Sequence, residues 1–495
     1  MKLHNLVDSL TQARPAGSLE GEVVSLTFDS RKVEPGSVFF AIRGEKADGH
    51  AYIPAALEKG ASAIVAEQDV PPGHLGTWIQ VKDTRRALAE AADWHFGSPS
   101  RDLLLAGITG TNGKTTSAFI IQSLIAAAGG RCGLIGTVKY DLGGGRTLPA
   151  ARTTPDSIEL QRLLGEMRSG GCAGAAMEVS SHALDQHRVT GIEFDAAVFT
   201  NLTQDHLDYH GTLEAYFQAK AKFFEHLTRQ KQKRQPTGIV NLDDAQGKRL
   251  VGMFRGQFPI LTFGMGFGAD FRISDIQTTM AGSSFSLEAK GRSFLVRIPF
   301  IGRFNVFNAV GALAAVNAMD FNLRETIGNL AKIPQVPGRM QCVGTQKSFR
   351  VFVDYAHTPD ALENALRTLR SLNPRRIITV FGCGGDRDAG KRPLMGAAAA
   401  ELSDALVLTS DNPRSEDPEK ILDGIAAGIS RGNPVRITDR DDAIAHAIGL
   451  AKEGDIVLIA GKGHETGQTF ADRTVPFDDV RVAAKHLKNR KSAQP

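Results

Sequence analysis

The run Gly107-Ile108-Thr109-Gly110-Thr111-Asn112-Gly113-Lys114-Thr115-Thr116 lies between an apolar stretch, Leu103 to Ala106, and a helix-like one, Ser117 to Ala128. That order predicts a strand, a tight loop and a helix. Glycines in such a loop let backbone N–H groups face an anion, and the helix N-terminus adds positive potential. Lys114 would add a full charge and Thr115 a hydroxyl for a magnesium ion. A nucleoside triphosphate is therefore the expected ligand, held by Gly110, Thr111, Asn112, Gly113, Lys114, Thr115 and Thr116. The spacing departs from the common P-loop, because Ile108 stands where that loop places its first glycine, which narrows the families to which the chain can belong.

A chain of 495 residues is too long for one hydrophobic core and predicts about three domains. Hydrophobic content of 42% and charged content of 23% fit ordinary globular units, and 52 glycines suit a loop-rich α/β protein. A net charge of only +4, without clustered basic residues, gives no support to a nucleic-acid surface. Cys132, Cys172, Cys342 and Cys383 are isolated, with no Cys-x-x-Cys pair, which argues against a zinc site and a disulfide framework and for a reducing cytoplasm. The first residues lack the apolar core of a secretion signal, and no stretch carries the ~20 apolar residues of a membrane span. The reading is a soluble, cytoplasmic monomer.

Short apolar runs (Val23 to Phe28, Ser37 to Ile42, Ser62 to Ala66, Trp78 to Val81) alternate with helical patterns (Tyr52 to Lys59, Arg85 to Phe96) and predict a small α/β domain over 1–99, closed by the break Gly97-Ser98-Pro99-Ser100. Over 100–335, buried-type strands recur at Leu103 to Ile108, Ala173 to Val179, Ala196 to Leu202, Gly238 to Leu242 and Ile260 to Gly264, with helical segments between several of them. That is the signature of a mostly parallel sheet, with an antiparallel excursion expected from Phe271 to Ile301. After the break Pro334 to Arg339, residues 336–495 repeat a strand followed by a polar loop four times, ending at Asp354, Gly382, Asp411 and Gly461. In open α/β sheets ligands gather at such carboxyl ends, so a Rossmann-like third domain is expected to present one rim of a site. The basic tail after Lys485 is expected to fray.

Glu178 falls at a strand end in Met177-Glu178-Val179-Ser180-Ser181-His182, where a carboxylate is costly to bury unless paired or coordinating a cation. The segment Asn201-Leu202-Thr203-Gln204-Asp205-His206-Leu207-Asp208-Tyr209-His210 places two histidines and two aspartates close together after another strand. His206 among oxygen ligands suits magnesium shared with phosphate better than zinc. In Tyr216-Phe217-Gln218-Ala219-Lys220-Ala221-Lys222, a helix allows only one of the two lysines to point into a site.

Four strings, Gly110 to Thr115, Glu178 to His182, Asp205 to Gly211 and Asp354-Tyr355-Ala356-His357-Thr358-Pro359, resemble those of the ATP-dependent Mur ligases of peptidoglycan synthesis, in order along nearly the whole chain. The string Asp411-Asn412-Pro413-Arg414 is similar to that of the member adding meso-diaminopimelate to UDP-N-acetylmuramoyl-L-alanyl-D-glutamate. The resemblance implies that ATP phosphorylates the terminal carboxylate of the nucleotide-linked dipeptide and that the incoming amine displaces phosphate from the acyl phosphate. It places Lys114, Glu178, His206 and Lys220 in catalysis, with Thr115, Glu178, His206 and a carbamate on Lys220 holding magnesium. Asn305, Arg339 and Asp354 match nucleotide contacts, and Arg339 begins the last domain, so that domain must close for it to reach the phosphates. Ser30, Glu45, Lys46, Ala47, Thr153, Thr154, Ser180, Gln186 and Arg188 match positions facing the UDP-sugar peptide, although Glu45, Lys46 and Arg152 depart from the residue types expected there.

Diaminopimelate carries a second amino-acid head, whose carboxylate a planar arginine fork can grip. Arg414 is the residue implied, with Arg387, Asp411, Asn412, Pro413 and Gly461 around it and Glu465 for the ammonium. A lysine-adding sister ligase would lack that arginine. A folylpolyglutamate synthetase would not need the N-terminal domain, and a nucleotide switch on the same phosphate loop would need no amine acceptor.

Overall fold

The computed structural model describes residues 2–44, 47–230, 233–344 and 348–492. Glu45 and Lys46 lie outside the described residues. Three main sheets follow one another along the chain, of five, eleven and six strands. In the first, Ser25–Thr27, Ser37–Phe40, Ala63–Ala66 and Thr77–Gln80 run parallel, and Arg14–Ala16 adds antiparallel to the last of these. The helix Thr84–His95 packs on it, opened by Asp83, whose carboxylate accepts the Arg86 N–H.

The central sheet is built around Leu104–Thr109, five of whose six residues are buried. Helices cover both faces, which explains a continuous apolar run in place of alternation. This strand lies parallel between Cys172–Glu178 and Ala196–Phe199, with Glu178 level with Ile108 and Phe199 level with Thr109. Register alone therefore brings the phosphate loop, Glu178 and the segment beginning at Thr200 to one edge. Thr237–Asn241 and Ile260–Gly264 continue the parallel order, and Phe271–Thr279, Gly282–Ala289 and Arg292–Ile298 form the antiparallel meander. On the other side the sheet extends through Arg131–Ile135, Lys139–Asp141 and Thr147–Pro149, three strands without an apolar run strong enough to announce them. Helices Lys114–Ala127 and Arg303–Ala318 supply the core of one face; Ser157–Ser169 and Leu213–Arg229 supply that of the other.

In the third sheet the parallel strands stand in the order Arg350–Asp354, Ile456–Ala460, Ile377–Phe381, Ala405–Leu408, Val435–Arg436, with Gln341–Val343 antiparallel at the edge. The terminal segment departs from the frayed tail expected of it. Helix Asp479–Ser492 runs along the domain, where Lys485 and His486 pair with Asp441 and Arg490 donates to the carbonyls of Ile448 and Ala451. Its own Ala483 and Leu487 are buried against the domain, so packing offsets the chain entropy that a basic, polar composition implied. Among the described residues no helix is long and apolar enough to cross a membrane.

Candidate active site

The phosphate loop is shaped by two glycines that nothing else could replace. Gly110 has φ +148° and a Cβ there would sit 1.9 Å from Thr200 Oγ1; Gly113 has φ +90° and its Cβ would sit 2.2 Å from Asn308 Oδ1. The segment after strand Ala196–Phe199 clamps the loop: Asn201 Oδ1 accepts the Asn112 N–H at 2.9 Å, Asn201 O accepts the Thr111 N–H, and Thr200 Oγ1 donates to Asn112 O at 2.6 Å. Thr203 adds a further tie, its N–H donating to Thr111 Oγ1 at 3.0 Å, so Thr200, Asn201 and Thr203 together hold the loop's form.

Cations converge on it. Lys114 Nζ donates to Gly110 O at 2.8 Å and Thr111 O at 2.9 Å, and Lys220 Nζ donates to the same Gly110 O at 2.9 Å. Lys220 is wholly buried on the inner face of helix Leu213–Arg229, its ammonium 4.5 Å from the centre of the Tyr216 ring, whereas Lys222 faces outward and pairs with Asp185 at 2.6 Å. Burial, and then the neighbouring Lys114 charge, drive the Lys220 pKa well below that of a free lysine. Burial lowers that of Lys114 too, opposed by Glu178 and Asp205.

Glu178 is buried at its strand end, where Oε1 accepts the Thr137 N–H at 2.8 Å and Oε2 accepts the Thr137 hydroxyl at 3.2 Å. Thr137 follows strand Arg131–Ile135 and went unread in the sequence along with that strand. Behind Glu178, Thr154 Oγ1 donates to its carbonyl and accepts the Ser180 N–H, Arg188 donates to Thr154 O and Gln186 Oε1, and Thr153 shares a hydrogen bond with Thr137. Five of the residues matched to the sugar peptide therefore form one network. Ser30 sits apart, in the turn Ser30–Lys32 of the first domain, and Ala47 is exposed; among the described residues no hydrogen bond or ion pair joins either to that network. His206 adopts a left-handed backbone at φ +53°, with Asp205 accepting its own N–H and standing 3.5 Å from its Nε2.

Lys114, Thr115, Glu178, His206, Lys220, Arg339 and His357 line one cavity of about 170 Å³. At the phosphate loop it meets a larger cavity of about 950 Å³ between the central and last domains, lined by Phe263, Phe304, Phe307, Asn308, Asp354 and Asp360 among others. The last domain is already docked on the loop: Arg339 donates to Thr115 Oγ1 at 3.0 Å, and Asp360 Oδ2 accepts from Asn112 at 3.1 Å and Thr203 at 3.2 Å. Asp354 accepts the Met340 N–H at 2.6 Å, which fixes the backbone beside Arg339. Asn305 does not line either cavity. Its amide donates to Ile301 O, and its carbonyl accepts from Asn308, so Asn308 is the side chain presented to the loop.

In the last domain, Asn412 and Glu465 come together from two different strand ends, Asn412 Nδ2 donating to Glu465 Oε2 at 2.8 Å. Lys462 Nζ donates to Asn412 Oδ1 and Glu465 Oε2, both at 2.9 Å. Burial raises the Glu465 pKa, but the Lys462 charge and hydrogen bond, with that from Asn412, outweigh it and leave the carboxyl below its ordinary value. Asp411 is buried against Gly461, where a Cβ would sit 2.5 Å from its Oδ2, and burial raises its pKa. Pro413 is buried, and Arg414, at φ +53°, donates to Gly385 O at 2.7 Å while its own N–H bonds Thr469 O. Arg387 is exposed nearby; neither arginine is in a salt bridge with a described residue.

Models of the Mur ligase family catalytic domain, the Mur ligase middle domain and the Mur ligase glutamate ligase domain match residues 22–95, 108–316 and 338–463. A protein of Solibacter usitatus named UDP-N-acetylmuramoyl-L-alanyl-D-glutamate–2,6-diaminopimelate ligase is 45% identical over 492 residues, 99% of this chain and 98% of its own length. A protein of the same name from Geobacillus kaustophilus is 47% identical over 476 residues, 95% of this chain and 96% of its own. A solved structure of a ligase of that name superposes with TM-score 0.71 at 35% identity, covering 99% of each chain. The fold also matches a MurF ligase of Thermotoga maritima in complex with ADP, at 20% identity and TM-score 0.62 over 94% of this chain and 99% of the other.

Proposed function

The chain belongs to the Mur ligase family, and from that premise we propose that it joins meso-diaminopimelate to UDP-N-acetylmuramoyl-L-alanyl-D-glutamate at the expense of ATP. One observation supports the chemistry above all: Lys114, Lys220 and Arg339 converge on the phosphate loop from three elements, with Glu178 the buried carboxylate opposite them. A carboxylate is a poor electrophile, and transfer of the γ-phosphoryl group to it places like charges together. Lys114 and Arg339 offset that repulsion where it develops. The acyl phosphate then has phosphate as its leaving group, and the acceptor amine takes its place at the acyl carbon to form the amide.

The larger cavity suits the nucleoside, with Phe304 and Phe307 for the base and Asp354 for a ribose hydroxyl. Magnesium takes one or two protein oxygens together with phosphate oxygens. Among the described residues no three carboxylate, imidazole or thiolate groups form a cage, and Glu178, the Thr115 hydroxyl and His206 fit such a shared ion. It would neutralise phosphate charge there. Lys220 fits the carbamate role because capture of carbon dioxide requires a neutral amine, and its surroundings favour that form; the carbamate would turn a third cation into a further anionic ligand.

On the acceptor side, Asn412 and Glu465 offer a donor and an acceptor to an amino-acid head. Arg414 and Arg387 supply guanidinium groups for its carboxylate. L-Lysine, lacking that carboxylate, would leave them unpaired. The test is phosphate release from ATP and magnesium with UDP-N-acetylmuramoyl-L-alanyl-D-glutamate, comparing meso-diaminopimelate, L-lysine and no amine. Release that requires diaminopimelate, with a tripeptide product by mass, is the expected outcome; a preference for lysine would overturn the acceptor, and release indifferent to any amine would overturn the ligase.

A further inference from the structure

Lys462 is a lysine with no exposed side-chain surface. A buried ammonium is expensive unless its protons are taken, and it then usually serves its partners. Its two bonded partners are Asn412 Oδ1 and Glu465 Oε2, the side chains assigned above to the acceptor. Asn412 Oδ1 also accepts the Thr469 N–H at 3.0 Å, so both its lone pairs are occupied and its amide orientation is fixed. With Nδ2 donating one proton to Glu465 Oε2, Asn412 keeps one N–H, and Glu465 keeps Oε1. The free pair is one donor and one anionic acceptor side by side, complementary to the carboxylate and ammonium of an α-amino acid.

The surroundings separate this role from ordinary bracing. The two strand ends are already tied from below by Arg440, fully buried with Asp479, whose guanidinium donates to Ser410 O at 3.4 Å and Ala460 O at 2.9 Å. Gln468 adds a further tie to Asp411 O at 2.8 Å. Backbone geometry at the loop bases is thus held without Lys462, which acts at the side-chain level, on charge and orientation. We propose that Lys462 is a positioning residue for acceptor recognition: it turns Glu465 so that Oε1 meets the acceptor's ammonium, and locks the Asn412 amide with its N–H toward the carboxylate. This rests on the reading of the loop as the amino-acid acceptor site.

Steady-state kinetics of Lys462→Met test it. The KM for diaminopimelate is expected to rise about 10- to 100-fold, the range for a lost charge-assisted hydrogen bond, while the KM for ATP and for the nucleotide dipeptide stay within about twofold. In a Glu465→Gln background the same substitution should have a smaller effect, because the part that passes through Glu465 is already lost and only the part through Asn412 remains. Should Lys462→Met fail to fold, Lys462→Gln, which keeps a donor but removes the charge, carries the same measurement. An unchanged diaminopimelate KM, a parallel rise in all three KM values, or full additivity with Glu465→Gln would each overturn the assignment. Wild-type turnover that does not saturate with diaminopimelate would sink the acceptor reading itself, whereas saturable wild-type turnover with an unchanged KM in the variant would sink the role of Lys462 alone.

Discussion

The two halves of the site hold their charges in opposite ways. At the phosphate loop, Lys114 and Lys220 rest on backbone carbonyls, sharing that of Gly110, and neither has a carboxylate within salt-bridge distance among the described residues. In the acceptor loop, Lys462 and Glu465 neutralise one another before any ligand arrives. The first half has unspent positive charge and is built for a polyanion. The second pairs Lys462 with Glu465 and leaves only Arg414 and Arg387 without a carboxylate partner among the described residues, so it offers single, directed valences, as a zwitterion of fixed geometry requires.

The sharpest way to break this contrast is at Lys220. Lys220→Ala should reduce kcat by on the order of 10²–10³-fold, the loss typical when one preorganised charge is removed from a reacting centre. Lys222→Ala, which removes only the exposed pair with Asp185, should stay within about threefold of wild type. Equal activities in a phosphate-release assay would show that the inward face of this helix carries no chemistry.

On the acceptor side the expected effect is smaller and lies in selection. Arg414→Lys keeps the charge but loses the planar fork, so the KM for diaminopimelate should rise about 10- to 100-fold with kcat at saturation little changed. The discrimination against L-lysine should fall by the same factor. A substitution that lowered kcat for both amines alike would instead mark Arg414 as part of the phosphoryl-transfer half.

Legibility in the sequence followed the same division. The phosphate loop and Glu178 are local: they depend on a strand end and a glycine spacing, visible in a few adjacent residues, whereas the helix period says only that Lys220 and Lys222 do not share a face and the resemblance is what selects Lys220. Thr137 was not legible, because Arg131-Cys132-Gly133-Leu134-Ile135 is too short and glycine-interrupted to announce a strand, and only sheet pairing brings its end to Glu178. Lys462 reads in the chain as one more polar residue of Gly461-Lys462-Gly463-His464-Glu465; its burial depends on loops from two strands meeting. Asn305 shows what a motif leaves out: it marks the neighbourhood, while the packing of helix Arg303–Ala318 decides that Asn308, bonded to Asn305, is the side chain beside the loop. Thr137→Val tests whether such a non-local partner matters. It removes the hydroxyl bond to Glu178 but leaves the backbone one, so kcat should fall about 3- to 10-fold with the KM for ATP unchanged.

The smallest effect is expected at the seam between the halves, where the His464 ring leans on that of Tyr355 at 45° with centres 4.8 Å apart, and Nδ1 is buried with no hydrogen-bond partner among the described residues. Burial, then the nearby Arg339 charge, lower its pKa from 6.5 to about 4, with Glu465 and a hydrogen bond involving the Thr137 backbone acting the other way and His357 adding to the depression. The sign of the stability effect follows from proton counting. Between pH 6.5 and about 4 the unfolded chain binds a proton at this residue and the folded one does not, so acidification favours unfolding across that window and this contribution levels off below it. His464→Phe keeps the ring contact and removes the titration. Denaturant melts at a series of pH values should therefore show a shallower loss of stability for His464→Phe than for wild type between pH 6.5 and about 4, and parallel curves would mean that the imidazole is protonated in the folded protein and that the seam is wetter than its packing implies.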